Sequence, residues 1–137
     1  MTDPSLDLQK GIRQRLIASS AVTALVPAAN ILDKNGPPEV FPCIIIGDGQ
    51  TLPGDGVARN DYVTHADLHI WQKETSLVGV KQVAGAIRQV LSDRFYDLDD
   101  HCVGDLYIES SRFIRDPDGL HSHGIVTLCA RLIEVTT

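Results

Sequence analysis

Two stretches of the chain have the hydrophobic spacing of an amphipathic helix. The first follows Asp3 and Pro4, which favour a helix start because Asp caps free N–H groups and Pro suits the first helical position. Its apolar positions lie four residues apart, at Leu8, Ile12 and Leu16. The second stretch has the stronger pattern, with spacings of three and four residues, at Leu77, Val80, Ala84, Ile87 and Leu91. The spacing predicts two main helices, each with one face in a core.

Other stretches have the hydrophobic pattern of β-strands. Residues 62–72 alternate, so that one side of the predicted strand faces a core and the other side is polar. The core side is Tyr62, Thr64, Ala66, Leu68 and Ile70, and the other side is Val63, His65, Asp67, His69 and Trp71. The run CIIIG at residues 43–47 is typical of a strand buried on both faces. Two further strands are predicted at residues 105–115 and 125–135.

Turn residues separate these elements. The sequence DPDG at residues 116–119 predicts a hairpin between the last two strands, because Pro and Gly suit the second and fourth positions of a type I turn. Residues 47–60 combine glycines with a proline and no alternation, which predicts a long mobile loop. The order helix, strand, strand, helix, strand, strand predicts an α+β fold. We expect an antiparallel β-sheet of about four main strands, with the two main helices packed on one face.

Composition and charge exclude several classes of function. A chain of 137 residues with 43% hydrophobic content predicts a single domain over residues 1–137, with a real core. A formal net charge of −6 argues against a broad affinity for phosphate backbones, so we expect no nucleic-acid ligand. The N-terminal residues have no secretory pattern and no apolar run is long enough for a membrane span. These features predict a cytoplasmic product without a membrane partner.

Two groups of residues have side chains that bind metals or transfer protons. His65, Asp67 and His69 share one face of a predicted strand and could offer two imidazoles and a carboxylate to a metal. The alternative is a solvated or interface-facing sheet surface. The other group surrounds the predicted turn, within residues 116–123, where Asp is common because its side chain caps backbone N–H groups.

The remaining motifs give no support for catalysis. The glycine-containing stretch at residues 47–56 lacks the third Gly of a dinucleotide fingerprint and the Lys of a P-loop. No nucleophile elbow occurs, and the three cysteines form no C-x-x-C pair. We therefore predict no catalytic residue, no cofactor and no bound metal.

The order of several segments resembles the tail completion, or tail terminator, proteins of long-tailed phages and gene transfer agents. The segments that carry the resemblance are LQKGIRQRLIASSAVTALV, FPCIIIGD, LHIWQ, LVGVKQVAGAI and ESSRFIRDPDGLHSHGIVTL. Together they cover nearly the whole chain. The most specific parts are the H-x-W of His69 and Trp71 and the residues between Arg112 and His123.

This resemblance implies a non-enzymatic virion protein that forms a ring, usually of six copies, at the head-proximal end of the tail tube. There the ring stops tube growth and docks onto the head connector. The implied partners are further copies of the chain, the tail tube protein and the head–tail connector or adaptor protein. DNA is expected to pass through the lumen without specific binding. The implied location is the virion tail at the head–tail interface, after synthesis in the cytoplasm of the bacterial host.

Exposed loops on a rigid sheet commonly carry recognition, so we expect assembly contacts in the two turn-rich segments. The candidate residues are Asp48, Asp55, Arg59, Arg115, Asp116, Asp118 and Gly119. The alternative function is a small stand-alone binding module or a metal-dependent enzyme that uses the sheet face of His65, Asp67 and His69.

Overall fold

A computed structural model describes residues 1–92 and 97–135 of the chain. The helices are α1 (Pro4–Ala18), α2 (Ser20–Thr23) and α3 (Val78–Ser92), and a short 3-10 turn spans Ala28–Asn30. The strands are β1 (Ile31–Leu32), β2 (Cys43–Pro53), β3 (Asp61–Gln72), β4 (His101–Arg115) and β5 (Ser122–Glu134). The two long helices, α1 and α3, are those that the hydrophobic spacing predicts.

The strands form one sheet in the order β1-β2-β3-β5-β4. The four long strands pair antiparallel, whereas the two-residue β1 runs parallel to β2. The predicted α+β fold is therefore confirmed. The described sheet has one strand more than the four main strands expected from the sequence, and this additional strand is short.

The largest difference from the sequence prediction concerns residues 47–60. Strand β2 continues through the glycine-containing stretch to Pro53, and its pairing with β3 resumes at Gly49 after a bulge that follows Ile46. The prediction of a long mobile loop is wrong for this part, because the hydrogen bonds to β3 compensate for the weak strand propensity of glycine. The connection between the two strands is limited to residues 54–60.

The last two strands begin earlier than their sequence pattern indicates. β4 begins at His101 and β5 at Ser122, rather than at residues 105 and 125. In β4 the pairing with β5 shifts between Val103 and Asp105, and again between Ile108 and Ser110. Each shift places an additional residue in β4, which breaks the two-residue alternation. Because of the first bulge, the alternation of hydrophobic residues does not indicate where β4 begins.

The core lies between the sheet and one layer of helices. The even-numbered residues of β3 and β5 face α1 and α3, as the alternation predicts. Core side chains with essentially no exposed surface include Leu16, Ile44, Leu68, Ile70, Ile87, Leu128 and Leu132. The described helices contain none that is long and apolar enough to cross a membrane.

The opposite side of the sheet is not covered by any described helix, and we call it the open sheet face. It comprises Gln50 and Leu52 of β2, odd-numbered residues 63–71 of β3, odd-numbered residues 123–133 of β5, and Tyr107, Glu109, Arg112 and Ile114 of β4. The segment between β1 and β2 lies beside His69, Trp71 and His123 at one end of this face.

Candidate functional site

A cluster of His69, Trp71 and His123 lies on the open sheet face. Trp71 and His123 are paired in register on β3 and β5, and their rings stack with centroids 3.9 Å apart. The Nδ1 of His69 lies 2.8 Å from the Nε2 of His123, so one ring donates a hydrogen bond to the other. Burial lowers the pKa of His123 to about 4, and the neighbouring His69 acts in the same direction. The imidazole of His123 is therefore neutral above about that pH.

An open cleft of about 480 Å³ lies beside this cluster. One wall is the segment of residues 33–38, which includes Pro37 and Pro38, and the other is the β2 bulge with Asp48. Gly47 allows the close packing at its base, because a Cβ at this position would lie 2.5 Å from the Cδ2 of His69. The H-x-W motif thus contributes aromatic side chains to the lining of this cleft.

The three histidine and aspartate residues predicted as possible metal ligands lie on one strand face, as expected, but each has a different partner. His65 faces Glu109, with 3.5 Å between Nδ1 and Oε1. Asp67 accepts a hydrogen bond from the hydroxyl of Thr127 at 2.7 Å. His69 pairs with His123. The side chains of this triplet are therefore directed to neighbouring strands and not to one another.

The hairpin predicted at residues 116–119 is confirmed. The N–H of Gly119 donates to the carbonyl of Asp116 at 3.0 Å, and Gly119 has a φ of +70° that favours glycine. The carboxylate of Asp118 accepts hydrogen bonds from the N–H groups of Leu120 and His121 and from the imidazole of His121. These bonds, with that of Leu120 the largest contribution, lower the pKa of Asp118 to about 2. The acidic side chain that suggested chemistry stabilises a turn.

The candidate assembly residues occupy separate parts of the molecule. Asp55 and Arg59 are exposed in the connection between β2 and β3, and Arg59 has a φ of +58°. The candidates of the 115–119 segment lie at the opposite end of the sheet, where Arg115 donates to the carbonyl of Thr75 at 3.0 Å. Asp48 lies in the β2 bulge between these ends. The structure does not bring the seven residues into one patch.

Sequence reasoning missed two buried aspartates, which lie near the same end of the sheet. Asp7 is 1% exposed, and its carboxylate accepts hydrogen bonds from the backbone N–H groups of Asp99 and Asp100 and from the imidazole of His101. Nothing in the sequence distinguishes Asp7, because acidic residues are common in the first turn of a helix.

Asp61 organises the connection between β2 and β3. Its carboxylate accepts from the N–H of Gly56 at 3.2 Å and from the guanidinium of Arg131 at 3.3 Å. A Cβ at Gly54 would lie 2.1 Å from the same carboxylate. The sequence signal was the pair of glycines, Gly54 and Gly56, before the polar strand residue Asp61. The loop prediction interpreted these glycines as a sign of flexibility.

Comparisons with known proteins place this fold in a recognised group. The model of the family described as tail completion protein gp17 matches residues 10–133. A chain in the virion of a native gene transfer agent particle is similar to this structure, with a TM-score of 0.83 and 16% sequence identity, over 96% of this chain and 99% of that chain. The bacteriophage SPP1 gp17 protein is also similar, with a TM-score of 0.58 and 19% identity, over 96% of this chain and 91% of that chain. No curated protein sequence matches the chain.

Proposed function

Because the chain belongs to the tail completion protein gp17 family, we propose that it is a structural virion protein that forms a ring, of six copies, at the head-proximal end of the tail tube. The ring stops elongation of the tube and joins the tail to the head connector. The observation that carries the proposal is the family match over residues 10–133. The fold likeness to a chain of an assembled gene transfer agent virion supports incorporation together with other tail and head components.

The edges of the sheet support a contact between copies. In the part of the chain that the structure describes, strand β1 pairs with β2 only at Ile44 and Ile45, and no strand pairs with the outer edge of β2 from its bulge to Pro53. Among the described residues, the outer edge of β4 has a single bridge, between Asp97 and Cys102. Unpaired strand edges of this length are templates for pairing with another chain.

The direction of the strands fits a head-to-tail ring. The four long strands alternate in direction, so β2 and β4, at opposite sides of the sheet, run antiparallel to each other. A rotation about an axis along the strands would bring β4 of one copy beside β2 of the next in antiparallel orientation. A repeated contact of this kind closes into a ring when the rotation permits.

The charge of the chain fits a lumen for DNA. A formal net charge of −6 gives little attraction for the phosphate backbone, so DNA passes through the ring without specific binding. The partners in this proposal are the neighbouring copies, the tail tube protein and the head–tail connector. The proposed role is structural and needs no catalytic residue.

Electron microscopy of particles from the source strain after removal of this gene tests the proposal. We expect tails of uncontrolled length, or finished tails detached from full heads, and normal particles after expression of the gene from a plasmid. Normal particles without the gene would contradict the proposal. A ring whose inner wall is lined with Lys and Arg would contradict the part that concerns DNA.

A further inference from the structure

Three neighbouring strands bring a histidine, a glutamate and a cysteine together on the open sheet face. His65 of β3 pairs in register with Cys129 of β5, which in turn pairs with Tyr107 of β4. Glu109 is the additional residue in the second β4 bulge, and its Oε1 is 3.5 Å from the Nδ1 of His65. The ligand atoms of His65, Glu109 and Cys129 all lie within 4.8 Å of one another.

We propose that His65, Glu109 and Cys129 bind one zinc ion, with a water molecule as the fourth ligand. The three donor types, imidazole nitrogen, carboxylate oxygen and thiolate sulfur, are those that zinc prefers. Bonds of about 2.0–2.3 Å in a tetrahedron place neighbouring ligand atoms about 3.3–3.6 Å apart. The separation of 3.5 Å between His65 and Glu109 already has this value.

The burial and the rigidity of the site favour one bound ion over loose association. Cys129 is 5% exposed, and the side chains of His65 and Glu109 are 28% and 37% exposed. The ion would therefore reach its site from the solvent side and be held against the sheet. Since the donors belong to three adjacent strands, binding cross-links β3, β5 and β4 and stabilises the folded chain.

Tyr107 completes the site as an outer partner. It pairs in register with Cys129, and the interaction with this residue raises the pKa of the Tyr107 hydroxyl. When the thiol of Cys129 loses its proton to bind the metal, the hydroxyl of Tyr107 can donate to the thiolate sulfur. Outer partners of this kind typically strengthen metal binding 10- to 100-fold. The inference does not depend on the proposed role in the virion.

The experiment is a titration of the purified, reduced protein with zinc, followed by dialysis and elemental analysis. We expect about one zinc per chain. Cobalt, as a spectroscopic substitute, should give thiolate-to-cobalt charge-transfer absorption and the visible bands of a tetrahedral site. Zinc should also raise the melting temperature, since it binds the folded chain.

Variants distinguish this site from adventitious binding. Cys129→Ser and His65→Gln should each weaken zinc binding at least about 100-fold, beyond the range of an outer partner, and Tyr107→Phe should weaken it about 10- to 100-fold. Cys102→Ser is the matched control, because Cys102 is a half-buried thiol on β4 outside the cluster, and it should retain the zinc. The melting temperature without metal shows whether each variant is folded.

Two results would overturn the inference. The first is substoichiometric zinc in the folded wild-type protein. The second is an unchanged affinity in folded Cys129→Ser or His65→Gln, which would assign the bound metal to another group such as Asp116, Asp118 and His121. Neither result would affect the proposed ring, which microscopy of particles tests separately.

Discussion

Asp7 and His101 are hydrogen-bonded to each other inside the protein, with 2.7 Å between the carboxylate Oδ2 and the ring Nδ1, although 94 residues separate them in the chain. Both side chains are essentially without exposed surface. The carboxylate also accepts hydrogen bonds from two backbone N–H groups just before β4, so this one side chain joins α1 to the start of the edge strand. A buried acid with three donors is well satisfied and costly to remove.

Replacing Asp7 by Ala should therefore destabilise the protein strongly. The change leaves the buried ring of His101 and two backbone N–H groups without their acceptor, and a buried donor left unsatisfied in this way costs about 1–3 kcal/mol. Urea unfolding of Asp7→Ala and the wild type measures the difference in the free energy of unfolding. Asp99→Ala is the control, because its side chain is 70% exposed and only its backbone N–H contacts Asp7. The same small effect of both substitutions would contradict this account.

Gly47 should not tolerate a side chain. A Cβ would lie 2.5 and 2.6 Å from the Cδ2 and Nε2 of His69, so Gly47→Ala must displace the ring and disturb its hydrogen bond to His123. We expect a loss of about 1–3 kcal/mol in the free energy of unfolding, as for overpacking in other sites. The loss should decrease in the double variant Gly47→Ala, His69→Ala, where the ring is absent.

Gly85→Ala is the matched control for Gly47→Ala, and its effect on the free energy of unfolding should have the opposite sign. Gly85 lies within α3, and a methyl group at this position would have open space around it, with no described side chain or neighbouring element within 4 Å. Gly85→Ala should therefore stabilise the chain by about 0.5–1 kcal/mol, because alanine has the higher helix propensity. Thermal or urea unfolding of both variants measures the contrast, and destabilisation by both would show that the clash with His69 is not the cause.

The hydrophobic pattern predicts most of this fold because its strong signals are local. The helix face of Leu8, Ile12 and Leu16 is buried as expected, and so is the core side of β3 at Leu68 and Ile70. The hydrophobic pattern does not predict a strand segment that forms only because it pairs with a neighbouring strand. Residues 47–53 look like a loop by composition, and it is the ladder with β3 that makes them a strand.

The candidate sites were harder to predict because they depend on contacts between strands. Residues two apart on one strand share a face, but they are about 7 Å apart, which is too far for short side chains to meet. The sequence therefore suggested His65 with Asp67 and His69, whereas the structure gives His65 the partners Glu109 and Cys129. Cys129 is the register partner of His65 on β5, and the position of Glu109 depends on a bulge in β4, which no local pattern shows.

The stability of the protein should decrease as the pH falls from about 6.5 to 4. The pKa of His123 is lowered to about 4 in the folded chain, below its ordinary value of 6.5, so between these values the unfolded chain binds more protons. The contribution is fully present above pH 6.5 and is lost as the pH falls towards 4. Solvent screening of this partly exposed ring keeps the contribution well below the full value of about 3 kcal/mol. Urea unfolding at several pH values measures this dependence, and His123→Gln should have the flatter profile. An equal slope in both proteins would contradict the assignment to His123.

Ring formation should be sensitive to charge on the outer strand of the sheet. Ile114 of β4 is 36% exposed on the open sheet face, and a Lys on an edge strand opposes pairing with another chain. Ile114→Lys should change the stability of the isolated chain by less than about 0.5 kcal/mol, because the residue is on the surface. A loss of about 1.4 kcal/mol at one contact weakens it about tenfold, and a closed ring repeats the loss at every contact.

Electron microscopy of particles measures the effect. With Ile114→Lys, particle yield and tail length should resemble those of the strain without the gene. Leu6→Lys, a comparably exposed change on α1, is the control and should support normal particles. Normal assembly with folded Ile114→Lys would exclude this edge of β4 as the contact between copies.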